Sequence, residues 1–457
     1  MGTVKRYSPE VRDRVHLGST HYIPARPGIS LTLSPQPGVP DFATRIAFRQ
    51  MTYASPNMKI AFFGVTPIVY GGGAEISTVV TAVEMSVRYP HLSIDIVTND
   101  DRFAKRLNFF LRIFYLKKPR YVLDANSENG LTRLGATKIR YIQARSILQL
   151  RRHLRSYDLI YSKNEIVEAV VLKSMSFRSL PPVVFVCHTA IEYPSPKKWQ
   201  ERLHNWIYLG GIYKFLCKKV TAFRALNSCD AEHLSTKFQI VSLIPNPESP
   251  QELLGYDLIN DSVEISASSF NVAWIGRIVD QKGVDELLEI LRQYDANRPH
   301  LPKITWNIFG DGSRRAEIVR IANSNPSVKY HGYVSRGTLV AALRQMDLFI
   351  STSRWETFGL TILEAIGCRI PVIAFNIPGP IDIITNGENG FLVNSLDDFF
   401  DRIVYFAEGG KVSSPGSGLA KFDPDQVYEK LLNLFQLAIR TRHENMKYSS
   451  VKRRREV

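Results

Sequence analysis

The chain has 457 residues, of which 44% are hydrophobic and 22% charged, a balance typical of globular proteins and not of disordered ones. The formal net charge is +15, and the four scattered cysteines form no Cys-x-x-Cys pair, which argues against both a disulfide framework and a zinc site. No apolar run reaches the roughly 18 residues of a membrane span, and the N-terminus lacks the apolar core of a secretion signal, so we expect a cytoplasmic protein.

The basic excess is concentrated in one part of the chain. Residues 58–246 carry 27 Lys and Arg against 14 Asp and Glu, whereas residues 247–421 carry 16 against 21. Such asymmetry predicts that the first region meets an anionic surface, either a nucleic acid or a membrane. A basic surface that serves only solubility is the alternative.

Residues 1–57 are rich in proline and have few periodic apolar runs, which predicts an irregular N-terminal extension. The first strand is predicted over residues 59–64, directly after Met58. Two interpretations of the segment before it stay open. It is either a genuine extension or the product of a start codon assigned too far upstream, since Met58 would open the fold cleanly.

From residue 59 onward, short apolar strands alternate with helical patterns, which predicts an α/β fold with parallel sheets covered on both faces. The first set of predicted strands continues over 92–98, 159–161, 182–187 and 219–223. The second set lies over 271–276, 305–309, 348–351 and 371–374, after a linker over 240–269. We therefore predict two Rossmann-like domains, 58–250 and 251–425, that face each other across a cleft, and a C-terminal helix with a basic tail over 426–457.

The most informative motif follows the predicted strand 348–351. Glu356 and Glu364 lie eight residues apart around the turn Phe358-Gly359-Leu360, where a strand ends and a helix over 360–367 begins. A helix N-terminus offers free N–H groups and the positive end of its dipole to an anion. Carboxylates beside such a site can accept hydrogen bonds from hydroxyl groups. A sugar attached to a phosphate would therefore fit both the helix N-terminus and the two carboxylates.

A second anion site is predicted at the start of the second domain. Gly276 lets the backbone turn after a strand, and Arg277 and Lys282 lie in the loop before the next helix. Two cations five residues apart at a strand-to-helix junction suit a diphosphate. Ordinary surface cations are the alternative, but the anion-binding turn at another strand end of the same sheet favours the diphosphate.

These motifs resemble those of the retaining, family-four nucleotide-sugar glycosyltransferases of the two-Rossmann (GT-B) architecture, from Met58 to about Phe435. They occur in the order of that family: Gly71-Gly-Gly-Ala-Glu75, His188, Pro245-Asn-Pro247, Arg277 with Lys282, Gly310-Asp-Gly312, Glu356 with Glu364, and Asn389-Gly-Phe-Leu-Val393. Pro247 is a departure, because many members have glycine there.

The resemblance implies a role for each motif in the second domain. Arg277 and Lys282 would bind the donor diphosphate and neutralise the leaving nucleotide, with no metal and no other cofactor. Glu356 would accept hydrogen bonds from sugar hydroxyls, and Glu364 from ribose hydroxyls. The backbone of residues 358–360 would contact the sugar-phosphate end, and Tyr333 lies in the segment from which relatives contact the base.

In the first domain, the resemblance implies that Gly72 and Gly73 let a loop approach the donor closely. His188 would face the transferred sugar from the opposite wall of the cleft. Its alternative role is to satisfy backbone groups at the end of a strand. Asp423-Pro-Asp425 matches a metal-binding Asp-x-Asp pattern, but its position before a helical run favours Asp423 as a helix cap.

Two segments of the first domain combine cations with aromatic residues. Residues 102–120 hold seven basic residues and no acidic one, and residues 197–219 hold seven basic residues, counting His204, with the single acid Glu201. Basic, aromatic-rich stretches that are too short to span suit the surface of an anionic bilayer. Helices with aromatic residues in the core and solvated charges are the alternative.

The sequence thus predicts a glycosyltransferase that moves a sugar from a nucleotide-diphosphate sugar to a glycan or lipid-linked acceptor, in polysaccharide, lipopolysaccharide or glycolipid synthesis, peripheral on the cytoplasmic membrane. No nucleic acid is expected as a partner. A nucleic-acid-binding protein is one alternative, but it leaves Glu356 and Glu364 unexplained. A catalytically silent partner subunit is the other, and the intact Arg277 and Lys282 weigh against it.

Overall fold

The chain folds into two lobes, each built on a parallel sheet. The computed structural model describes residues 57–65, 73–99, 139–175, 180–194, 196, 198–247, 263–265 and 268–455. The predicted N-terminal extension, Gly72 and the basic segment 102–120 lie outside the described residues.

The described part of the first lobe holds seven strands: β1 Lys59–Gly64, β2 Ser93–Asn99, β3 Arg140–Ala144, β4 Leu159–Lys163, β5 Val183–Val186, β6 Ala222–Ala225 and β7 Val241–Leu243. Their order is β3-β2-β1-β4-β5-β6-β7, and every neighbouring pair is parallel. Its described helices are α1 Gly73–Arg88, α2 Ile147–Leu154, α3 Ile166–Ser174, α4 Trp199–Leu209, α5 Gly211–Cys217 and α6 Ser228–Ser235. The central strands are buried along their whole length, as a sheet covered on both faces requires.

Among its described residues, the second lobe holds six strands: β8 Phe270–Ile275, β9 Ile304–Phe309, β10 Val328–Gly332, β11 Leu348–Ser351, β12 Val372–Phe375 and β13 Gly390–Val393. Their order is β10-β9-β8-β11-β12-β13, again all parallel. The helices are α7 Val284–Asn297, α8 Arg315–Ser324, α9 Arg336–Leu343, α10 Leu360–Gly367, α11 Pro380–Ile383 and α12 Leu396–Ala407. The strand order reverses between β8 and β11, and ligands of open α/β sheets bind at such a switch point.

The last helix, α13 Pro424–Arg455, returns to the first lobe. Its Phe435 ring packs edge-on against Tyr161 of β4, with 5.2 Å between the ring centroids. Asp425 at its start forms an ion pair with Arg88 at the end of α1. The N–H of Gln426 donates to the Asp423 carboxylate at 3.0 Å, which confirms the predicted helix cap.

The predicted two-lobed α/β fold is confirmed, and β1, β11 and α10 have the predicted bounds. The prediction of a linker from residue 240 is wrong in part, because residues 241–243 form the edge strand β7. The basic run 452–455 is not a separate tail, since α13 continues to Arg455. None of the helices in the described part of the chain has the length and apolarity that crossing a bilayer requires.

Candidate active site

The predicted donor residues meet at the carboxyl ends of β8 and β11. These two strands are neighbours in the sheet, with Phe349 opposite Ala273 and Ile350 opposite Trp274. The loop after β8 carries Arg277 and ends in a 3-10 turn over Asp280–Lys282. The loop after β11 carries Glu356. The switch point of the second sheet therefore brings together cations and a carboxylate that lie far apart in sequence.

Lys282 and Glu356 form an ion pair across this edge. Their side chains are 17% and 10% exposed, so the pair is largely withdrawn from water. The hydroxyl of Ser353 donates to the same Glu356 oxygen at 2.9 Å. The structure thus places the cation predicted for phosphate next to the acid predicted for sugar hydroxyls.

Thr352 braces the two loops. Its Oγ1 lies 2.9 Å from the carbonyl oxygens of both Lys282 and Gly283, and it accepts a hydrogen bond from the Trp274 indole at 2.9 Å. Gly283 has a φ of +69°, and a Cβ there would lie 1.7 Å from the Thr352 carbonyl oxygen. Only glycine allows this close approach, which fixes the backbone from which the Lys282 side chain projects.

Arg277 is exposed, and its guanidinium donates to the Gln281 side-chain oxygen at 2.9 Å. The Gln281 amide in turn donates to the Trp355 carbonyl oxygen at 3.4 Å. The Gly310-Asp-Gly312 motif packs beneath this loop, because a Cβ on Gly310 would lie 1.9 Å from the Gly276 carbonyl oxygen. Gly276 and Arg277 are therefore held from below while the guanidinium faces solvent.

The Phe358-Gly359-Leu360 turn forms the start of α10, as predicted. Gly359 is the N-cap residue with a φ of +106°, and Phe358 is buried against Phe422, with ring centroids 5.6 Å apart. A helix N-terminus has free N–H groups, so the anion site predicted beside Glu356 has donors at this position. Glu364 lies in the second turn of α10 and is half-buried.

His188 of the first lobe meets the second lobe at this loop. Its carbonyl oxygen accepts a hydrogen bond from the Thr357 hydroxyl at 3.0 Å. The carbonyl of Thr357 accepts in turn from the Asn227 amide at 2.8 Å, and Asn227 is the buried N-cap of α6. Both contacts join the lobes beside Glu356, and the role predicted for the His188 side chain stays a prediction.

Tyr193 and Trp355 form a further contact between the lobes, with ring centroids 4.7 Å apart. The Tyr193 ring stacks on His204 of α4, which stacks on Tyr208. Burial raises the pKa of Tyr193 to about 12, and the nearby Arg277 opposes this shift. Burial also lowers the pKa of His204 to about 4, so its ring is neutral at pH 7 and hydrogen-bonds the Ala190 carbonyl oxygen at 2.8 Å.

We expect His204 to make the protein sensitive to mild acid. Its pKa is lower in the folded than in the unfolded chain, so unfolding takes up a proton and stability falls as the pH drops from about 6.5 to about 4. The loss is about 3 kcal/mol at the acid end of this range. Urea unfolding at several pH values measures it. His204→Phe keeps an aromatic ring and should flatten the dependence, whereas the exposed His91→Phe should not.

Of the remaining predicted residues, one lies outside the described part of the chain and one lies away from this cluster. Gly72 lies outside the described residues, although Gly73 begins α1. Tyr333 follows β10, two strands away from β8, and is 76% exposed. In the described ranges, no group of three or more His, Cys, Asp or Glu side chains is placed to hold a metal ion.

Comparisons with known proteins identify the second lobe. Residues 269–408, which include Arg277, Lys282, Glu356 and Glu364, match the family described as Glycosyl transferases group 1. The crystal structure of Anabaena Alr3699/HepE with UDP and glucose matches with a TM-score of 0.56 at 18% identity, over 83% of this chain and 99% of that one. The chain has the GT-B fold, and its second lobe matches the group 1 glycosyltransferase family. The predicted architecture is thereby confirmed.

Two further similarities agree with this GT-B assignment. The apo form of the lipopolysaccharide outer core galactosyltransferase WaaB matches with a TM-score of 0.54 at 18% identity, over 86% of this chain and all of that one. The poly(ribitol-phosphate) alpha-N-acetylglucosaminyltransferase of Staphylococcus aureus (strain COL) is 30% identical over 176 residues, 36% of this chain and 35% of that protein. The chain spans 66%, 35% and 30% of three curated relatives that it matches, so its activity is treated below as a proposal.

Several site residues of this GT-B protein were not found from sequence. Ser353, Thr352 and Asn227 act through hydrogen bonds, and such residues are common in any loop. Tyr193 and Trp355 meet only because the lobes face each other. A signal was available for Trp355, since it directly precedes Glu356 in the most informative motif.

Proposed function

We propose that this chain is a retaining, metal-independent glycosyltransferase of the family-four type that uses a nucleotide-diphosphate sugar. The observation that carries the proposal is the contact between Lys282 and Glu356 at the switch point of a group 1 domain. It juxtaposes a cation for the diphosphate and an acid for the sugar hydroxyls. A sugar-phosphate bond held beside this pair would lie where the leaving charge develops.

Arg277 and Lys282 stabilise the departing diphosphate. The bond from the sugar anomeric carbon to the phosphate oxygen breaks, and the acceptor oxygen bonds to that carbon. The acceptor proton passes to the departing phosphate oxygen on the same face. Fixed cations and helix N–H groups stabilise the negative charge on the leaving group, and they do not have to reorient at the moment of reaction.

The contacts of Glu356 support a front-face attack that retains the anomeric configuration. Its carboxylate is engaged by Lys282 and Ser353, a role that suits hydroxyl binding better than covalent attack. Glu364, in the second turn of α10, is assigned to the ribose hydroxyls. The backbone of Phe358, Gly359 and Leu360 is assigned to the sugar-phosphate end.

The acceptor is proposed to be a glycan or lipid-linked glycan of the cell envelope. Support comes from the names of two similar proteins, the Staphylococcus aureus transferase acting on poly(ribitol-phosphate) and an Escherichia coli galactosyltransferase acting on a diphosphoundecaprenol-linked sugar. The second is 23% identical over 57% of this chain and 69% of that protein.

Radiolabelled nucleotide sugars, incubated with the full chain and envelope lipids or glycans, test the proposal. Transfer or donor hydrolysis with at least one donor, together with calorimetric binding of the matching nucleoside diphosphate, is the expected result. If no donor is consumed and no nucleoside diphosphate binds, the proposed function is wrong.

His188→Ala gives a sharper prediction for the first-lobe wall. The His188 side chain is assigned to the transferred sugar, so its loss should lower the turnover number about tenfold to a hundredfold. Nucleoside-diphosphate affinity should stay at the wild-type value, because the phosphates bind in the other lobe. Equal losses in nucleotide affinity and turnover would instead indicate that the His188 side chain only supports the structure of the cleft.

A further inference from the structure

We infer that the outer surface of α4 and α5 docks onto an anionic lipid bilayer and holds the active-site cleft beside it. The docking itself is independent of the proposed function. Its use, delivery of a lipid-linked acceptor to the cleft, rests on that function.

The surface exposes large apolar side chains. Trp199 and Trp206 of α4 are 58% and 63% exposed, and Ile212 and Phe215 of α5 are 41% and 63% exposed. Trp199 and Trp206 lie seven residues apart, with Arg202 between them, and so share one stripe of the helix. Tryptophan is rarely left in water at such exposure without a partner, and it favours the boundary between lipid and water.

These aromatic residues are not needed for the core of the lobe. α4 buries Ile207 and Tyr208, and α5 buries Tyr213 and Cys217. The opposite faces of both helices are thus free to serve another purpose. The alternative, in which the aromatic residues enter the core, holds for Tyr208 and Tyr213 but not for Trp199, Trp206 and Phe215.

Exposed cations surround the apolar side chains: Lys198, Arg202, Lys214, Lys218 and Lys219. The single acid in this stretch, Glu201, accepts a hydrogen bond from the backbone N–H of Lys198 at 3.0 Å. Lys173 of α3 adds a further cation, with its Nζ 3.8 Å from the centroid of the Phe215 ring. Basic residues between interfacial aromatic residues complement an anionic lipid surface, and their stems reach along apolar groups to the headgroups.

The surface begins at the rim of the active site. Lys198, directly before Trp199, forms an ion pair with Asp280 of the second lobe, two residues before Lys282. The inner face of α4 reaches the same cleft, because His204 stacks on Tyr193 and Tyr193 contacts Trp355. A bilayer bound to α4 would therefore lie next to the cleft, within reach of a sugar on a lipid carrier.

Sedimentation of the full chain with lipid vesicles tests the inference. The wild type should sediment with vesicles of phosphatidylcholine mixed with phosphatidylglycerol, less so in high salt, and should stay in solution with phosphatidylcholine alone. The double variant Trp199→Ala/Trp206→Ala should lose at least about tenfold in vesicle affinity. An unchanged melting temperature of this variant would show that the loss is not caused by unfolding.

The matched control is Leu148→Ala together with Val87→Ala, two exposed apolar residues on α2 and α1. It should bind vesicles as the wild type does. Equal binding to both vesicle types, or full binding by the tryptophan variant, would overturn the inference. So would light scattering that shows a dimer broken by the tryptophan substitutions, because a second copy would then cover this surface. Vesicle binding without sugar transfer from any donor would instead refute the proposed function and leave the docking in place.

Discussion

Replacing Lys282 with alanine is expected to lower kcat/KM for sugar transfer by about a hundredfold to a thousandfold. Lys282 is held by the Thr352 brace at the switch point and is assigned to the diphosphate leaving group. Its loss removes a fixed positive charge where negative charge develops, and it leaves Glu356 hydrogen-bonded to Ser353 without the ion pair. Steady-state kinetics with the donor identified by the panel, and calorimetry with the nucleoside diphosphate, measure both consequences.

Two companion variants separate the catalytic role from a structural one. Lys303→Ala removes one exposed positive charge directly before β9, at the opposite, N-terminal edge of the second sheet. It should change neither kcat/KM nor the affinity for the nucleoside diphosphate. The double variant Lys282→Ala/Glu356→Gln should lose less than the sum of the two single losses, because the side chains touch. Wild-type kinetics for Lys282→Ala would remove this lysine from the donor site.

Replacing Gly283 with alanine is expected to destabilise the second lobe by about 2 to 4 kcal/mol. The residue adopts a φ of +69°, and the new Cβ would lie 1.7 Å from the carbonyl oxygen of Thr352. The backbone must move, and that movement separates the Thr352 hydroxyl from the carbonyl oxygens it contacts. Donor binding should fall with stability, because Lys282 immediately precedes the shifted residue.

Gly387→Ala is the matched control for this substitution. Gly387 has a similar φ of +78°, but a Cβ there meets nothing within 4 Å. The Gly387→Ala variant should lose only about 1 kcal/mol of stability, from backbone strain, and should bind the nucleotide as the wild type does. Thermal or urea unfolding compares the two variants. Equal losses of stability in the two variants would show that the contact between the new Cβ and the Thr352 carbonyl oxygen does not destabilise the lobe.

Much of the fold was predictable from the sequence, because buried parallel strands are continuous apolar runs. β1 and β11 are such runs, and α10 follows a glycine that has to adopt a positive φ. The missed strands have weaker patterns. β3, Arg140–Ala144, pairs on one side only and is partly exposed, so its sequence mixes polar and apolar residues.

The site was predictable only in part. Arg277, Lys282 and Glu356 follow strand ends, and the rule that ligands bind at the carboxyl ends of parallel strands brings them to one edge. The direct pairing of Lys282 with Glu356 depends on which strands are neighbours, which local sequence does not specify. The contacts of Asn227 and Tyr193 depend on how one lobe faces the other, and no local pattern encodes that.

Because α13 packs on the first lobe, a fluorescent label on this helix reports the position of the first lobe and not that of the second. Phe435 packs on Tyr161, and Asp425 pairs with Arg88, so this helix belongs physically to the lobe that starts at β1. A fluorophore pair placed near Lys59 and on α13 would keep a constant separation in any rotation of one lobe against the other. One dye on α12 of the second lobe would be needed to detect such a rotation by energy transfer.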